Sequence, residues 1–430
     1  MKRIATQTLG CKLNFAETSD MLRRFVEKGW RKVDFDEEAD LYVINTCTVT
    51  ATAEKKCRNA IRQATRHGNN AIVAVVGCFA QNAAPEIEKI EGVDLIVGNG
   101  QKHRLPDIVE RMLTTGSPCI TPENEEPTSF DISFSRDDRT RTFFKIQDGC
   151  DYFCTYCAIP FARGRSRSAT VAETIKVARQ IASTGTKEVV LTGINTGTFG
   201  QSHGETLLDL LRELDRIEPI KRFRISSIEP NLITNDIIDF VSTSRAFLPH
   251  FHIPLQAGSD TLLKAMHRKY TTAFYASLVD KIKTAMPDAC IATDIMAGFH
   301  GETEEEFQHV LAFVESIPIS YLHVFTYSER PNTAALRMSG RIAVHQRREH
   351  SQRLHILSEK KKKAFYQSQQ HSIRPVLWES DIKDNLMYGF TDNYIRVRKK
   401  HDENDVNNIT PFSLDKLIYD EEVFESDHSI

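Results

Sequence analysis

The chain has 430 residues, 40% hydrophobic and 26% charged, with nine Cys and a formal net charge of −3 at pH 7. This length suits about three domains, and the composition is that of an ordinary globular protein. The charge argues against global attraction to nucleic acid, although a local basic surface remains compatible with it. The thinly spread Cys, a start without an apolar run and no membrane-length apolar stretch indicate a cytoplasmic protein with reduced thiols.

The first 115 residues alternate between strand-like and helix-like segments. Strands are predicted at Arg3–Leu9, Leu41–Thr46, Ala71–Val76 and Asp94–Val97, and helices at Glu17–Lys28 and Thr52–Arg66. The run AIVAVV has no polar alternation, as expected of a parallel strand covered on both faces. Alternating β and α units predict an α/β domain with a doubly wound parallel sheet over residues 1–115. Residues 116–140 carry Pro, Ser, Thr and acidic residues without periodicity, which predicts a linker.

A second βα series occupies residues 141–368. Strands are predicted at Phe143–Gln147, Glu188–Asn195, Arg222–Glu229, His250–Gln256, Ile291–Phe299 and Tyr321–Tyr327. Helices are predicted between them at Val171–Ala182, Leu207–Ile217, Ile237–Ser242, Tyr275–Met286 and Glu304–Glu315. Six βα units fit a partial TIM-like (β/α)6 barrel, in which loops at the strand carboxyl ends build the site. The tail, residues 369–430, has short strand-like segments between turn residues, which predicts a small antiparallel β-barrel.

Three Cys lie within one eight-residue stretch, CDYFCTYC, directly after the first predicted barrel strand. Cys150, Cys154 and Cys157 supply one thiolate fewer than a closed zinc or iron–sulfur site uses. A thioredoxin-type pair or half a zinc site are the alternatives. A thioredoxin-type pair would not need Cys150. A zinc site would need a fourth ligand nearby, and the nearest His along the chain, His103 and His203, are distant. The spacing therefore favours an iron–sulfur cluster with one iron left open for a small molecule.

Three further Cys each follow a predicted N-terminal strand. Cys11 comes after RIATQTLG, Cys47 after LYVINT and Cys78 after AIVAVVG. Because the carboxyl ends of parallel strands share one edge, these thiols are expected to converge and to hold a second cluster. The alternative for each Cys is a small buried apolar residue. The remaining Cys, at 57, 119 and 290, are interpreted as structural or incidental.

Longer motifs carry a family resemblance. TLGCKLN, NTCTVT, GCFAQ, CDYFCTYCAIPFARGRSRS, HIPLQAGSD, TDIMAGFHGETEEEF and YSERPNTAA resemble, in order, the signature segments of the radical S-adenosylmethionine (SAM) methylthiotransferases. The resemblance spans nearly the whole chain. It implies a methylthiotransferase domain, a radical SAM barrel and a C-terminal TRAM domain. It also implies two [4Fe–4S] clusters, an auxiliary one on Cys11, Cys47 and Cys78 and a SAM cluster on Cys150, Cys154 and Cys157.

The implied reaction replaces an unactivated C–H bond with a methylthio group, which requires radical chemistry. One SAM would donate a methyl group to sulfur at the auxiliary cluster, and another would yield a 5′-deoxyadenosyl radical. Both clusters must then face one substrate cavity. Candidate SAM contacts in the barrel loops are Tyr156, Gly193, Asn195, Ser227, Glu229 and Gln256. The alternative for each polar residue is a strand-end cap or a turn.

The substrate branch is indicated by the first motif. TLGCKLN, with Lys12 after the Cys, is most similar to the branch that converts N6-threonylcarbamoyladenosine at tRNA position 37 to its 2-methylthio derivative. Phe15 departs from the residue expected there, whereas Glu17 and Thr18 fit. The alternatives are methylthiolation of isopentenyladenosine in tRNA or of a ribosomal-protein aspartate. A non-catalytic iron–sulfur RNA-binding protein is the alternative from another class.

Basic residues in two regions are candidate RNA contacts. RGRSRS offers Arg163, Arg165 and Arg167, for which a solvated basic turn is the alternative. The tail combines aromatic residues with Arg374, Arg396, Arg398, Lys399 and Lys400, a combination that suits RNA backbone and base stacking. A small barrel core with a charged hairpin is the alternative there. The expected partners are the tRNA anticodon region and an electron donor such as a flavodoxin or ferredoxin.

Overall fold

The computed structural model describes residues 1–67, 71–115, 127–136 and 140–425. Cys119 and most of the predicted linker lie outside these residues. Among the described residues, no helix combines the length and apolar character needed to cross a membrane.

The N-terminal region is a five-stranded parallel sheet flanked by helices. Its elements are β1 Arg3–Thr8, α1 Lys12–Glu27, β2 Arg31–Val33, β3 Leu41–Thr46, α2 Ala51–His67, β4 Ile72–Gly77, α3 Cys78–Ile87, β5 Leu95–Val97 and α4 Leu105–Thr115. The strand order is β2-β1-β3-β4-β5, so the chain winds outward in both directions from β1 and β3. Separate apolar cores cover the two faces, one around Tyr42 and Ile44 and the other around Leu41 and Val43. The predicted doubly wound sheet is confirmed.

The register places the predicted auxiliary Cys at one edge. Thr8 pairs with Asn45, and Thr46 pairs with Gly77, so β1, β3 and β4 end side by side. The helices α3 and α4 were not predicted. In α3 the pattern is obscured because Pro85 lies inside the helix and Ala83 has a non-helical backbone at a kink.

The second region is the predicted partial barrel. Its elements are β6 Ser133–Phe134, β7 Thr142–Lys145, β8 Gln147–Asp148, α5 Ile159–Arg163, β9 Arg167–Ser168, α6 Val171–Ala182, β10 Glu188–Thr192, α7 Leu207–Asp215, β11 Arg222–Ile225, α8 Asn235–Thr243, β12 His250–His252, α9 Asp260–Ala265, α10 Thr272–Ala285, β13 Cys290–Ala297, α11 Glu304–Ser316 and β14 Tyr321–Thr326. Parallel pairing runs β7-β10-β11 and β12-β13-β14, and a bridge from Phe223 to Phe247 joins the two halves. Short β6 pairs antiparallel with β7. All six predicted barrel strands are present, most of them shorter than predicted.

A long helix leads to the C-terminal sheet. The elements are α12 Val344–Ser368, β15 Ile373–Lys383, β16 Leu386–Thr391, β17 Arg396–Lys400, β18 Ile409–Ser413, β19 Lys416–Ile418 and β20 Val423–Glu425. The order is β18-β15-β16-β17-β20-β19, antiparallel except for β17 and β20. Its core surrounds the fully buried Trp378.

The turn between β16 and β17 closes the end of the barrel where the strands begin. Arg224 on β11 forms an ion pair with Glu188 at 2.7 Å and donates to the backbone oxygens of Thr391 and Asp392. Tyr394 stacks on His250 at a ring distance of 4.3 Å. The cysteines of the two triads all lie beyond the opposite, carboxyl ends of the strands, so this contact supports the barrel at the end away from the triads.

We expect Arg224→Met to destabilise the protein by about 3–5 kcal/mol, because it leaves the buried Glu188 carboxylate and two carbonyls short of a donor. Denaturant unfolding measures this change. Arg216→Met is the matched control: this exposed arginine pairs with Glu213 within one helical stretch, and its removal should cost less than about 0.5 kcal/mol. Equal effects of the two substitutions would contradict the structural role of Arg224.

Candidate active site at two cysteine triads

The N-terminal triad forms where three strands end together. Cys11 is the N-cap of α1 and Cys78 is the first residue of α3, so helix N-termini support both thiolates. Gly10 lies against Cys47: a Cβ at position 10 would be 2.8 Å from the Cys47 Cβ, and the positive φ of 107° there favours glycine. Burial, together with the nearby Cys78 and Cys11, raises the pKa of the Cys47 thiol to about 12.

The barrel triad lies in the loop between β8 and α5. The loop is held by backbone hydrogen bonds from Cys150 to Gly164 at 3.1 Å and from Cys157 to Cys154 at 3.0 Å. Burial raises the pKa of Cys150 to about 11 and that of Cys157 to about 12. A cluster held by these residues would replace the thiol protons, because thiolates are the ligands of iron–sulfur clusters.

The surroundings of both triads fit iron–sulfur clusters. Asn99 Nδ2 lies 3.5 Å from Cys78 Sγ, and Arg268 Nη1 lies 3.1 Å from Cys154 Sγ. N–H groups directed at cluster sulfur tune the reduction potential of such centres. Cys57 is not a further ligand, because its Sγ contacts the backbone N and O of Cys47 at 3.4 Å. Cys290 is buried in the core shared with the C-terminal sheet.

A cavity of about 180 Å³ joins the two regions beside the barrel triad. Tyr156, Cys157 and Gln256 line it from the barrel, and Val49 and Thr50 line it from the segment after Cys47. One cavity is therefore shared by the loops that carry the two triads.

The predicted SAM contacts fall into four groups. Tyr156 and Gln256 line the cavity. Asn195 Nδ2 is buried without a hydrogen-bond partner among the described residues, an orphaned donor that suits a polar cofactor. Glu229 instead forms an ion pair with Arg268.

The other two SAM candidates have local structural contacts. Gly193 packs on Gln147, whose Oε1 accepts from the backbone of Ile194 and Asn195 at 2.9 Å. Ser227 offers its carbonyl oxygen to Thr196. For these two residues a direct contact with SAM stays a prediction.

A buried ionic network ties the two triad loops together. Arg163 is fully buried and reaches Asp148 at 2.9 Å, Glu17 at 3.2 Å and Asn14 Oδ1 at 2.6 Å. Lys145 bonds to both carboxylates, at 2.8 Å to Glu17 and 2.9 Å to Asp148. The structure therefore corrects the prediction that Arg163 contacts RNA.

The two carboxylates of this network are charged. Burial raises the pKa of Glu17, but the guanidinium of Arg163 and the ammonium groups of Lys102 and Lys145 outweigh it and hold the pKa below its ordinary value. The pKa of Asp148 is lowered in the same way, against its burial, by Arg163 and Lys145. The contact between the two regions is thus a set of paired charges.

The other basic residues predicted to contact RNA differ in the solvent exposure of their side chains. Arg165, Arg396 and Lys400 face solvent wholly or in part. The others are engaged inside the protein: Arg167 with Asp148, Arg374 with Asp288 and Asp392, Arg398 with Glu421 and Glu425, and Lys399 with Asp405. Lys399 also lies over the buried Trp378 ring. For these engaged residues the alternative interpretation, a small barrel core with a charged hairpin, is therefore better than RNA binding.

Several site residues were not predicted from the sequence. Arg268 contacts Cys154, and Asn99 contacts Cys78. Arg330 donates to Glu54 at 2.6 Å and to the backbone oxygen of Thr48, which holds the loop after Cys47 on the barrel. No spacing pattern in the sequence identifies these residues as part of the site, although Arg330 lies within the YSERPNTAA motif.

Comparisons with known proteins agree with this architecture. Residues 3–98 match the model "Uncharacterized protein family UPF0004", and residues 144–314 match the Radical SAM superfamily. The chain is 40% identical to the threonylcarbamoyladenosine tRNA methylthiotransferase MtaB of Bacillus subtilis, over 97% of this chain and 95% of that protein. A tRNA-2-methylthio-N(6)-dimethylallyladenosine synthase of Alkaliphilus oremlandii is 35% identical over 79% of this chain and 74% of that protein.

A solved structure shows the same fold. The radical SAM methyltransferase TsrM of Kitasatospora setae superposes with a TM-score of 0.60 over 78% of this chain and 77% of that chain, at 16% identity. Fold and site thus define a radical SAM enzyme with a second cluster-binding domain. The chain belongs to the methylthiotransferase family, whose two domains each bind a [4Fe–4S] cluster and which uses SAM.

Replacing Cys150, Cys154 and Cys157 together by Ala should remove about half of the iron and sulfide of the reconstituted protein, because each triad is predicted to hold its own cluster. The complementary Cys11, Cys47 and Cys78 variant should lose the other half. Cys290→Ala is the control and should retain all the iron. Complete loss of iron in either triple variant would contradict independent binding.

Arg163→Met should destabilise the protein by about 3–5 kcal/mol, since it leaves Glu17 and Asp148 with too few cationic partners in a buried site. Denaturant unfolding of the cluster-free chain measures the change. Arg165→Met, at a largely exposed neighbour, is the matched control with an expected loss below about 1 kcal/mol. An Arg163 variant as stable as this control would show that the network is dispensable.

Proposed function

We propose that the protein converts N6-threonylcarbamoyladenosine at position 37 of tRNA to its 2-methylthio derivative. The observation that carries the proposal is the end-to-end similarity to MtaB of Bacillus subtilis, at 40% identity over 97% of the chain. MtaB proteins of Aquifex aeolicus and Thermotoga maritima match at 36% and 34% identity over more than nine-tenths of the chain. The dimethylallyladenosine synthase cited above covers less of the chain, which makes isopentenyladenosine the second candidate.

The bound clusters and SAM would supply the radical chemistry that exchanges a C–H bond for a C–S bond. The residues of this chain bind and position the reactants. The Asn195 amide is an available donor for a polar cofactor group, and the Arg268 guanidinium, 3.1 Å from Cys154 Sγ, would contact a cluster bound there. The loop after Cys47 contributes Val49 and Thr50 to the wall of the cavity beside Cys157, where the substrate base would lie.

The partners follow from this chemistry. The anticodon region of tRNA is the RNA partner, and Arg165, Arg396 and Lys400 remain available for its phosphates. A flavodoxin or ferredoxin would supply the electron for the barrel cluster. The enzyme would act in the cytoplasm, where its tRNA substrate is found.

Nucleoside mass spectrometry of tRNA from a deletion strain should show loss of the 2-methylthio derivative and accumulation of N6-threonylcarbamoyladenosine. A plasmid copy should restore the modification, whereas a Cys150→Ala copy should not. Persistence of the 2-methylthio form in a strain without a second such enzyme would refute the proposal. Loss of 2-methylthio-isopentenyladenosine instead would establish the second candidate.

Two measurements address the remaining alternatives. An unchanged intact mass of the small-subunit ribosomal proteins would exclude aspartate methylthiolation. Release of 5′-deoxyadenosine by the anaerobically reconstituted protein would exclude a binding protein without catalysis.

A further inference from the structure

The loop that carries the barrel triad has an aromatic patch on its solvent side. Phe153 is 40% exposed, and Phe161, on α5, is 44% exposed. Their rings meet edge to face with centroids 6.2 Å apart. Neither residue lines the cavity that Tyr156 and Cys157 line. The triad loop therefore has one face toward the cavity and another toward solvent, and Phe153 and Phe161 are called the aromatic patch below.

The backbone holds the Phe153 ring in this exposed position at a cost. Phe153 lies between Cys150 and Cys154 and has a φ of 48°, a left-handed conformation that is unfavourable for a bulky residue. Burial of the ring would offset such a cost by removing apolar surface from water, but this ring is exposed. Contact with a partner therefore accounts for the strained position better than packing within the chain does.

Cationic side chains lie beside the aromatic patch. Arg165 is 67% exposed and lies 4.8 Å from the centroid of the Phe153 ring, although an ion pair with Asp151 at 3.5 Å offsets part of its charge. Lys269 is exposed, and its ammonium lies 3.9 Å from the centroid of the Tyr152 ring. Aromatic and cationic groups together are typical of protein interfaces, and this charge complements a partner with an acidic docking face.

The segment that carries Lys269 is fixed to the triad loop. The Thr155 backbone N donates to the backbone oxygen of Met266 at 3.3 Å, three residues before Lys269. Cys150 and Cys154 are themselves partly exposed. A protein docked on the aromatic patch and Lys269 would therefore contact the loop that is predicted to hold the SAM cluster.

The position of the patch favours an electron donor over tRNA. The substrate base would lie in the cavity, and the exposed apolar residues Val49 and Phe325 line that side of the loop. RNA must reach the cavity with its base, whereas an electron can cross the triad loop from the solvent face. Rings beside cations also suit RNA, and Arg165 is proposed above to contact it, so RNA binding is the alternative that the test must exclude.

We propose that the aromatic patch and Lys269 form the docking surface for the electron donor, a small acidic protein that carries a flavin. The exposed edge of a flavin is flat and apolar, which suits the Phe153 ring, and surrounding carboxylates would pair with Lys269. One electron passes from the anionic reduced flavin to the cluster that the barrel triad is predicted to hold. No covalent bond forms, and the flavin keeps its proton. This inference rests on the proposed function, because it locates a partner named there.

The test measures binding of oxidised flavodoxin to the reconstituted full-length protein without RNA, by anaerobic calorimetry. The double variant Phe153→Ser, Lys269→Glu should raise the Kd about 10-fold or more, because an aromatic anchor and a complementary charge are lost. Release of 5′-deoxyadenosine driven by subsaturating reduced flavodoxin should fall by a similar factor. Release driven by dithionite, which needs no docking surface, should stay close to that of the wild type.

The controls separate docking from folding. Phe274→Ser with Lys281→Glu is the matched control, since Phe274 is 44% exposed and Lys281 is exposed on the same outer helix, α10. This control should bind flavodoxin as the wild type does. If the Phe153 variant has lost iron, Phe161→Ser with Lys269→Glu decides the question, because neither residue lies between the triad cysteines.

Three results would overturn the docking surface. The first is an undiminished affinity for flavodoxin in both double variants. The second is a wild type that binds ferredoxin and not flavodoxin. The third is weaker binding of an anticodon stem-loop RNA with flavodoxin binding unchanged, which would assign the patch to RNA. A wild type that binds flavodoxin through the patch but leaves N6-threonylcarbamoyladenosine RNA unmodified would refute the proposed function and still support the docking surface.

Discussion

The geometry of the two triads depends on one buried ionic network. Glu17 lies six residues after Cys11, on α1, while Asp148 and Arg163 flank the barrel triad. The charges of these residues meet where solvent is excluded. Burying these charges is costly, so the network is favourable only when each carboxylate has its cations at short distance. That requirement selects one docking of the parallel sheet on the barrel. A shared cavity follows from it, since the loops carrying Cys47 and Cys157 are then opposed.

The strands and the two triads could be predicted because their signals are local. A β-branched run followed by Cys recurs three times, and the parallel register brings those Cys to one edge. The position of Arg163 could not be predicted in this way. Its RGRSRS segment has the alternation of an exposed turn, yet its carboxylate partner Glu17 lies 146 residues away in sequence. Burial of a charge depends on such distant partners, which a local motif does not reveal.

The C-terminal sheet shows a second limit of prediction from the sequence, which concerns composition. Mixed aromatic and basic residues suggested an RNA surface, but a sheet of this size needs large side chains for its own core. Trp378 is fully buried and Lys399 covers its ring, so the same composition serves packing. Composition alone does not distinguish the two uses, because both require flat rings next to cations. Solvent exposure distinguishes core packing from RNA binding, and only Arg396 and Lys400 of the basic residues predicted in this sheet are exposed at its surface.

The contact between β11 and the β16–β17 turn has a consequence for biosynthesis. Chains emerge from the ribosome with the N-terminus first, so the barrel strands are complete before Thr391 and Tyr394 have been made. Until then the Arg224 guanidinium lacks the carbonyls that it binds, and the His250 ring lacks its stacking partner. The barrel thus reaches its final rigidity only after these residues of the C-terminal sheet have been synthesised.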